Sequence, residues 1–379
     1  MILSKQLAKT ATTMTTPTRG KGLVSLALTM LNSITVALAL SGDWKEGVVA
    51  DLPFARIGHV GGVHAPSGTL FIVGGYDGTY NLNALDALDT QKNEWSVLPD
   101  MPTNRSDLSA GVLGDMLYVA GGEAREDGCP WADGGLGICN LTKVEGFNIT
   151  TGSWATLPSM NVARRGLQMG VDAKRGKIYT LGGMNCKDNC YGDDVEYIGA
   201  AEVLDVATGV WSVLPSMPTG RRDLGVGVDE STGKVYAIGG CGNSTTSQEC
   251  YTTGVVEVFD PATNSWSEGM PMLTPRHGIT VCVLPSSADE GVTVSFLVLG
   301  GAQDSLVYAG PTPLATAENF VPSSNSWNTV ASMPSARYAA AKGYGLVLNV
   351  DGDTTRAYVV GGAVAAGDVM TSAVEVFDM

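Results

Sequence analysis

Residues 234–240 read KVYAIGG and residues 256–266 read VEVFDPATNSW, and the same succession recurs along the chain. An apolar run closes on a Gly-Gly pair. An acid follows inside a second strand-like run, and a tryptophan comes nine residues after that acid. The Gly-Gly pairs are Gly74-Gly75, Gly121-Gly122, Gly182-Gly183, Gly239-Gly240, Gly300-Gly301 and Gly361-Gly362, at spacings of 47, 61, 57, 61 and 61 residues. The acids are Asp86, Glu145, Glu202, Glu257, Glu318 and Glu375, and the tryptophans Trp95, Trp154, Trp211, Trp266 and Trp327. Two residues before each tryptophan stands Asn93, Gly152, Gly209, Asn264 or Asn325, types that accept the positive φ of a tight hairpin. Four residues after Met101, Met160, Met217, Met272 and Met333 comes Arg105, Arg164, Arg221, Arg276 or Arg337, and Leu52 and Arg56 keep that spacing in the first copy. A repeat of this length built from strand signals predicts an array of small sheets, each burying its faces against its neighbours.

The string Arg, apolar-Gly-Gly, Glu, Trp, Met-Pro-x-x-Arg resembles the kelch repeat, in six copies over about residues 42–379. The resemblance implies an all-β, six-bladed β-propeller, with one four-stranded blade (strands a to d) per repeat around a central channel. The last copy stops at Met379 without its tryptophan strand, and an orphan one, Asp43-Trp44 to Leu52-Pro53, precedes the first copy. The N-terminal strand is therefore expected to complete the last blade and remove an open sheet edge.

Residues 1–40 have a different composition. Lys5, Lys9, Arg19 and Lys21 precede the apolar run Leu23–Leu40, and the first acid is Asp43. This pattern predicts a signal peptide cleaved near Ala37-Leu38-Ala39, with an uncleaved signal-anchor as the alternative; both place residues 41–379 outside the cytosol. An organellar transit peptide is a further reading, since residues 1–22 are Thr-rich and lack acids. Six of the seven cysteines fall in close pairs, Cys129 with Cys139, Cys186 with Cys190 and Cys241 with Cys250, which predicts disulfides in an oxidising compartment and leaves Cys282 as a buried free thiol. Four Asn-x-Ser/Thr tripeptides, at Asn104, Asn140, Asn148 and Asn243, agree with a secreted glycoprotein.

The net charge of −15 argues against a nucleic-acid partner, which requires a basic field. With strands running alternately, the d–a and b–c connections share one face. The b–c connections hold 10, 22, 18, 16, 16 and 12 residues between the second Gly and the acid, and all three cysteine pairs lie in them. Long loops on a rigid scaffold are where binding resides, so this face is the expected functional one. Candidate ligand contacts are the arginines Arg56, Arg105, Arg165, Arg222, Arg276 and Arg337, suited to an acidic ligand, and the loop aromatics Trp131 and Tyr191. Against the arginines stands a weightier reading. Each blade offers one repeat Arg and one strand-c acid, which can pair in the interior, leaving Arg165 and Arg222 as the less committed pair.

The repeat tryptophans are expected to pack between blades. Kelch propellers that oxidise sugars with copper, or that use iron, depend on ligand clusters for which His59, His64 and His277 stand at unsuitable offsets. No metal or cofactor is expected. The sequence thus points to an exported, non-catalytic binding module for a protein segment or glycan, reaching a membrane only through an uncleaved anchor. The alternative is a sugar-acid mutarotase or epimerase, similar to six-bladed periplasmic kelch enzymes, with channel arginines and an acid as its machinery.

Overall fold

The computed structural model describes residues 42–45, 47–126, 137–186, 195–243, 250–284, 294–303, 311–339, 347–349, 354–364 and 369–379. The signal or anchor segment expected over residues 1–40 lies outside them, as do Cys129, Trp131, Cys190 and Tyr191. The described residues fall in the compact unit Gly42–Met379.

Six four-stranded antiparallel sheets account for the repeat. In blade 1 strands a to d are Val60–His64, Thr69–Val73, Leu85–Asp89 and Glu94–Leu98, each hydrogen-bonded to the next. The sheets of blades 2 to 5 follow the same order within residues 109–157, 168–214, 225–269 and 280–330. Blade 6 takes Val347–Asn349, Thr355–Val360 and Val374–Asp378 from the C-terminus and its outer strand, Asp43–Lys45, from the N-terminus. The register sets Trp44 against Phe377, with ring centroids 5.2 Å apart.

Burial follows strand position. Strand b of blade 1 is buried along four of its five residues, whereas strand d exposes most of its length. Large apolar side chains interdigitate between sheets, for example Tyr236 of blade 4 with Phe296 of blade 5 at 5.0 Å between centroids. Each repeat tryptophan spans to the preceding blade through its indole N–H: Trp95 to Ala50 O, Trp154 to Pro99 O, Trp211 to Pro158 O, Trp266 to Pro215 O, Trp327 to Met270 O and Trp44 to Ala331 O, all at 2.7–2.8 Å.

The Gly-Gly pairs have a backbone cause. Gly121 and Gly122 sit at φ +64° and +95°, a combination that side chains resist. A Cβ on Gly121 would lie 2.8 Å from the carbonyl oxygen of Arg164 in the next blade, and the N–H of Gly122 donates to that same oxygen at 3.0 Å. The pattern repeats around the molecule, and its last member runs from Gly362 N–H to Arg56 O, from sheet six to sheet one. The hairpin residues Asn93, Gly152, Gly209, Asn264 and Asn325 all have positive φ, as their residue types predict.

Candidate functional site

The d–a and b–c connections meet on one face through short backbone bridges. The residue after each repeat arginine pairs with the start of a b–c connection: Ile57 with Tyr76, Ser106 with Glu123, Arg165 with Met184, Arg222 with Cys241, His277 with Ala302 and Tyr338 with Ala363. From there the b–c chain rises into two-stranded ribbons. These are Glu123–Glu126 with Gly137–Asn140 in blade 2, Met184–Cys186 with Val195–Tyr197 in blade 3, Cys241–Asn243 with Cys250–Thr252 in blade 4, and Ala302–Gln303 with Thr312–Pro313 in blade 5. The ribbons of blades 2 and 3 touch, with Asn140 Nδ2 donating to Asn185 Oδ1 at 2.9 Å and lying 2.9 Å from Cys186 Sγ.

Beneath this face lies a collar of six residues, two past each repeat arginine: Gly58, Asp107, Gly166, Asp223, Gly278 and Ala339. All have φ between +48° and +62°. Consecutive members are joined by backbone N–H to O=C bonds of 2.8–3.1 Å from Asp107 to Gly58, Gly166 to Asp107, Asp223 to Gly166, Gly278 to Asp223 and Ala339 to Gly278. Three of the six are not glycine, and for that reason the collar left no pattern in the sequence.

The six repeat arginines are interior residues, each 0–1% exposed and each paired with the strand-c acid of its own blade. The pairs are Arg56–Asp86, Arg105–Glu145 (2.7 Å), Arg164–Glu202 (3.0 Å), Arg221–Glu257 (2.7 Å), Arg276–Glu318 (2.8 Å) and Arg337–Glu375 (2.5 Å). Their terminal Nη1 groups also donate to main-chain oxygens, as Arg105 does to Gly121 and Lys143. Burial pulls the guanidinium of Arg105, and likewise that of Arg164, down to about 10, against the pull of the neighbouring carboxylate. The candidates Arg56, Arg105, Arg276 and Arg337 are therefore corrected: a guanidinium sealed from solvent and already paired with a carboxylate is out of a ligand's reach. Blade 1 shows how the pair adapts. Thr103 and Ser335 brace Glu145 and Glu375 through their hydroxyls, whereas in blade 1, where the acid is the shorter Asp86, the corresponding position is Phe54, whose ring centroid lies 4.4 Å from the Arg56 guanidinium carbon.

Arg165 and Arg222 lie on the bridges of the face. Arg165 is ion-paired with Glu123, which also meets the Ser106 hydroxyl, so blades 2 and 3 are tied across their boundary. The Arg222 side chain is 29% exposed, stands 3.3 Å from Asp223 and lies 6.0 Å from the Tyr197 ring centroid. Burial opposes its charge, but Asp223, then Tyr197 and Asp107, outweigh burial and hold its pKa above the ordinary value.

Asn104 is exposed on a d–a connection, Asn148 accepts the Thr151 N–H in a c–d turn, and the side chains of Asn243 and Cys250 lie outside the described residues. Among the described residues Cys282 is the free cysteine; it is fully buried in strand a of blade 5, and burial pushes its thiol up to about 12. The three histidines serve separate places: His59 reaches Val360 O at 3.0 Å, His64 reaches Asp115 at 3.1 Å, and His277 reaches Thr252 at 3.1 Å.

Radial four-stranded sheets joined by indole and glycine contacts define the molecule as a β-propeller. The Kelch motif model matches residues 61–102 and 224–273, and the chain is a member of the kelch-repeat family. It is similar to "Kelch-like protein terF" of Aspergillus terreus, 30% identical over 261 residues, covering 65% of this chain and 50% of that one. It is also similar to "Kelch-like protein 35" of Mus musculus, 23% identical over 269 residues, covering 70% and 38% respectively. The chain thus spans half or less of the length of these two relatives. Among solved structures, "Structure of YjhT" superposes with a TM-score of 0.63 at 19% identity, over 86% of this chain and 96% of that one, a likeness of fold.

Proposed function

We propose that this chain is an exported binding module that recognises a protein segment or glycan on the face formed by its d–a and b–c connections. The observation that carries the reading is the one-sided elaboration of the blades. Ribbons rise from the b–c connections of blades 2 to 5, while the opposite rim carries tight turns such as Asp89–Asn93. A rigid scaffold that gathers its longest connections at one end is suited to recognition, because the sheets hold the bases of those connections in fixed positions. The N-terminal composition, the four glycosylation tripeptides and the clustering of cysteines on this face support export, with disulfides stapling the ribbons.

The sugar-acid isomerase reading draws on Arg222, which reaches solvent at the collar. Its guanidinium is already held by Asp223, so an incoming carboxylate has to compete with a resident one, and this favours the non-catalytic reading.

The test is saturable binding by the full chain across acidic, neutral and basic peptides and glycans. Replacing residues 185–196 by a two-residue turn shortens the blade 3 ribbon and is expected to weaken binding of a partner that spans the face while the sheets stay folded. Binding that survives this change but is lost in Arg222→Ala, together with turnover of a sugar acid, would overturn the proposal in favour of the isomerase.

A further inference from the structure

Where blade 6 meets blade 1, three connections come together: residues 47–59, residues 76–84, and residues 361–364 with 369–373. They present exposed apolar side chains, with Phe54 at 40%, Tyr80 at 70% and Val369 at 54% exposure. Tyr80 stands on a pre-set turn. The Asp77 carboxylate accepts the N–H of Thr79 and of Tyr80, both at 2.7 Å, the Asp77 N–H donates to Tyr80 O at 3.3 Å, and the Tyr76 hydroxyl donates to Gly78 O at 2.8 Å. A Cβ on Gly78 would lie 3.0 Å from the Met370 methyl, so the turn rests against the blade 6 connection. Phe54 has one side on Arg56, and the Ile57–Tyr76 bridge joins its connection to the Tyr80 turn. An aromatic held out on an ordered turn costs little entropy to bury, the property expected of an interface anchor.

Charge selects what fits. Among their described residues there is no lysine, the one arginine is the buried Arg56, and the acids are Asp51 and Asp77. Asp51 and Asp77 are exposed. The Tyr80 N–H, followed by that of Thr79, holds the Asp77 carboxyl below its ordinary range, so it is anionic throughout the physiological span. The whole chain carries −15, which adds a field of the same sign.

We infer that the blade 6/blade 1 seam, with Tyr80 at its centre and Phe54 and Val369 beside it, docks a polypeptide segment carrying an apolar side chain next to lysine or arginine. The apolar side chain packs on Tyr80 and Phe54, and the basic group is attracted by Asp77 and Asp51. This rests on the proposed binding face and names one site and one class of partner on it.

The experiment measures fluorescence polarisation of four labelled 12-residue peptides with the full chain: net +3 or −3, each with or without a central Leu-Trp pair. The basic apolar peptide is expected to bind saturably and more weakly as salt is raised. Tyr80→Ala should weaken it at least tenfold, and Asp77→Asn should weaken it while flattening the salt dependence. Tyr251→Ala, which removes an exposed tyrosine from the blade 4 ribbon, should leave it within twofold. The inference is overturned by equal binding of the acidic peptide, by an unchanged affinity in Tyr80→Ala, or by no binding of the basic apolar peptide. Binding lost in Tyr251→Ala but kept in Tyr80→Ala would sink this site and leave the face itself standing.

Discussion

Arg164 and Glu202 are the sharpest place to ask whether the repeated ion pairs are architecture. Both side chains are 0% exposed, and the guanidinium donates to Gly182 O, Ala200 O, Thr180 Oγ1 and Glu202 Oε1 at 2.6–3.1 Å. Glu202 in turn accepts the Asn161 N–H, the Asn161 side-chain amide and the Val162 N–H at 2.7–3.2 Å. Arg164→Met keeps the stem volume but leaves a buried carboxylate without its counter-charge, a change that costs about 3–5 kcal/mol. Against a domain stability of about 5–15 kcal/mol, this is a large fraction of the total. Glu202→Gln added to Arg164→Met keeps an acceptor for the two Asn161 N–H groups, gives up the one that Val162 N–H uses, and removes the orphaned charge, so the double variant should recover at least about 1 kcal/mol. Arg164→Lys should not rescue, since one ammonium cannot reach the acceptors that the planar fork satisfies. Urea titration followed by tryptophan fluorescence gives the midpoint and slope for each variant. A single variant within about 1 kcal/mol of the parent, or a double variant no better than Arg164→Met, would refute this reasoning.

Three further outcomes follow from the same structure. Trp44→Ala removes the indole bond to Ala331 O and the contact with Phe377, together worth about 2 kcal/mol, and should speed amide exchange in Val374–Asp378 ahead of the other sheets. Cys282 is held at about 12 by burial against an ordinary thiol near 9.0, so the unfolded chain sheds its proton first and stability should fall as pH rises above about 9; Cys282→Val should flatten that alkaline loss in a pH series of thermal melts. If the chain is exported as proposed, peptide mapping should find glycan on exposed Asn104 and none on Asn140, whose side-chain nitrogen is engaged by Asn185; a glycan on Asn140 would contradict the ribbon contact.

The landmarks that were legible in the sequence are those where the backbone or an interior charge admits few residue types. Gly121 has a positive φ and a neighbouring carbonyl where a Cβ would sit, Asn93 has a left-handed turn, and Arg105 has a carboxylate and two carbonyls to satisfy. The glycine and arginine constraints recur in all six blades and the turn in five, so the period and the orphan N-terminal strand could be read directly. The channel arginines were partly legible: pairing was the weightier reading, but only the burial of Arg56 and Arg337 withdraws them as ligand contacts. The ribbons and the collar were not legible, because tertiary contacts set them. Asp107, Asp223 and Ala339 take positive φ through bonds to neighbouring blades rather than through their own propensity. Tyr80 was missed for a related reason: a lone tyrosine in a short loop becomes conspicuous only when Asp77 is seen to fix its turn.

The most direct test of the central claim is site-specific photocrosslinking of the full chain in its native host. A crosslinking residue is placed at Tyr80, Glu196 or Tyr251 on the ribbon face, and at Thr151, Thr208 or Thr263 in the c–d turns of the opposite rim. A discrete adduct from the ribbon-face positions, absent from the turn positions, is the predicted result. Adducts from the c–d turns alone would contradict the account and move the binding surface to the other end of the propeller.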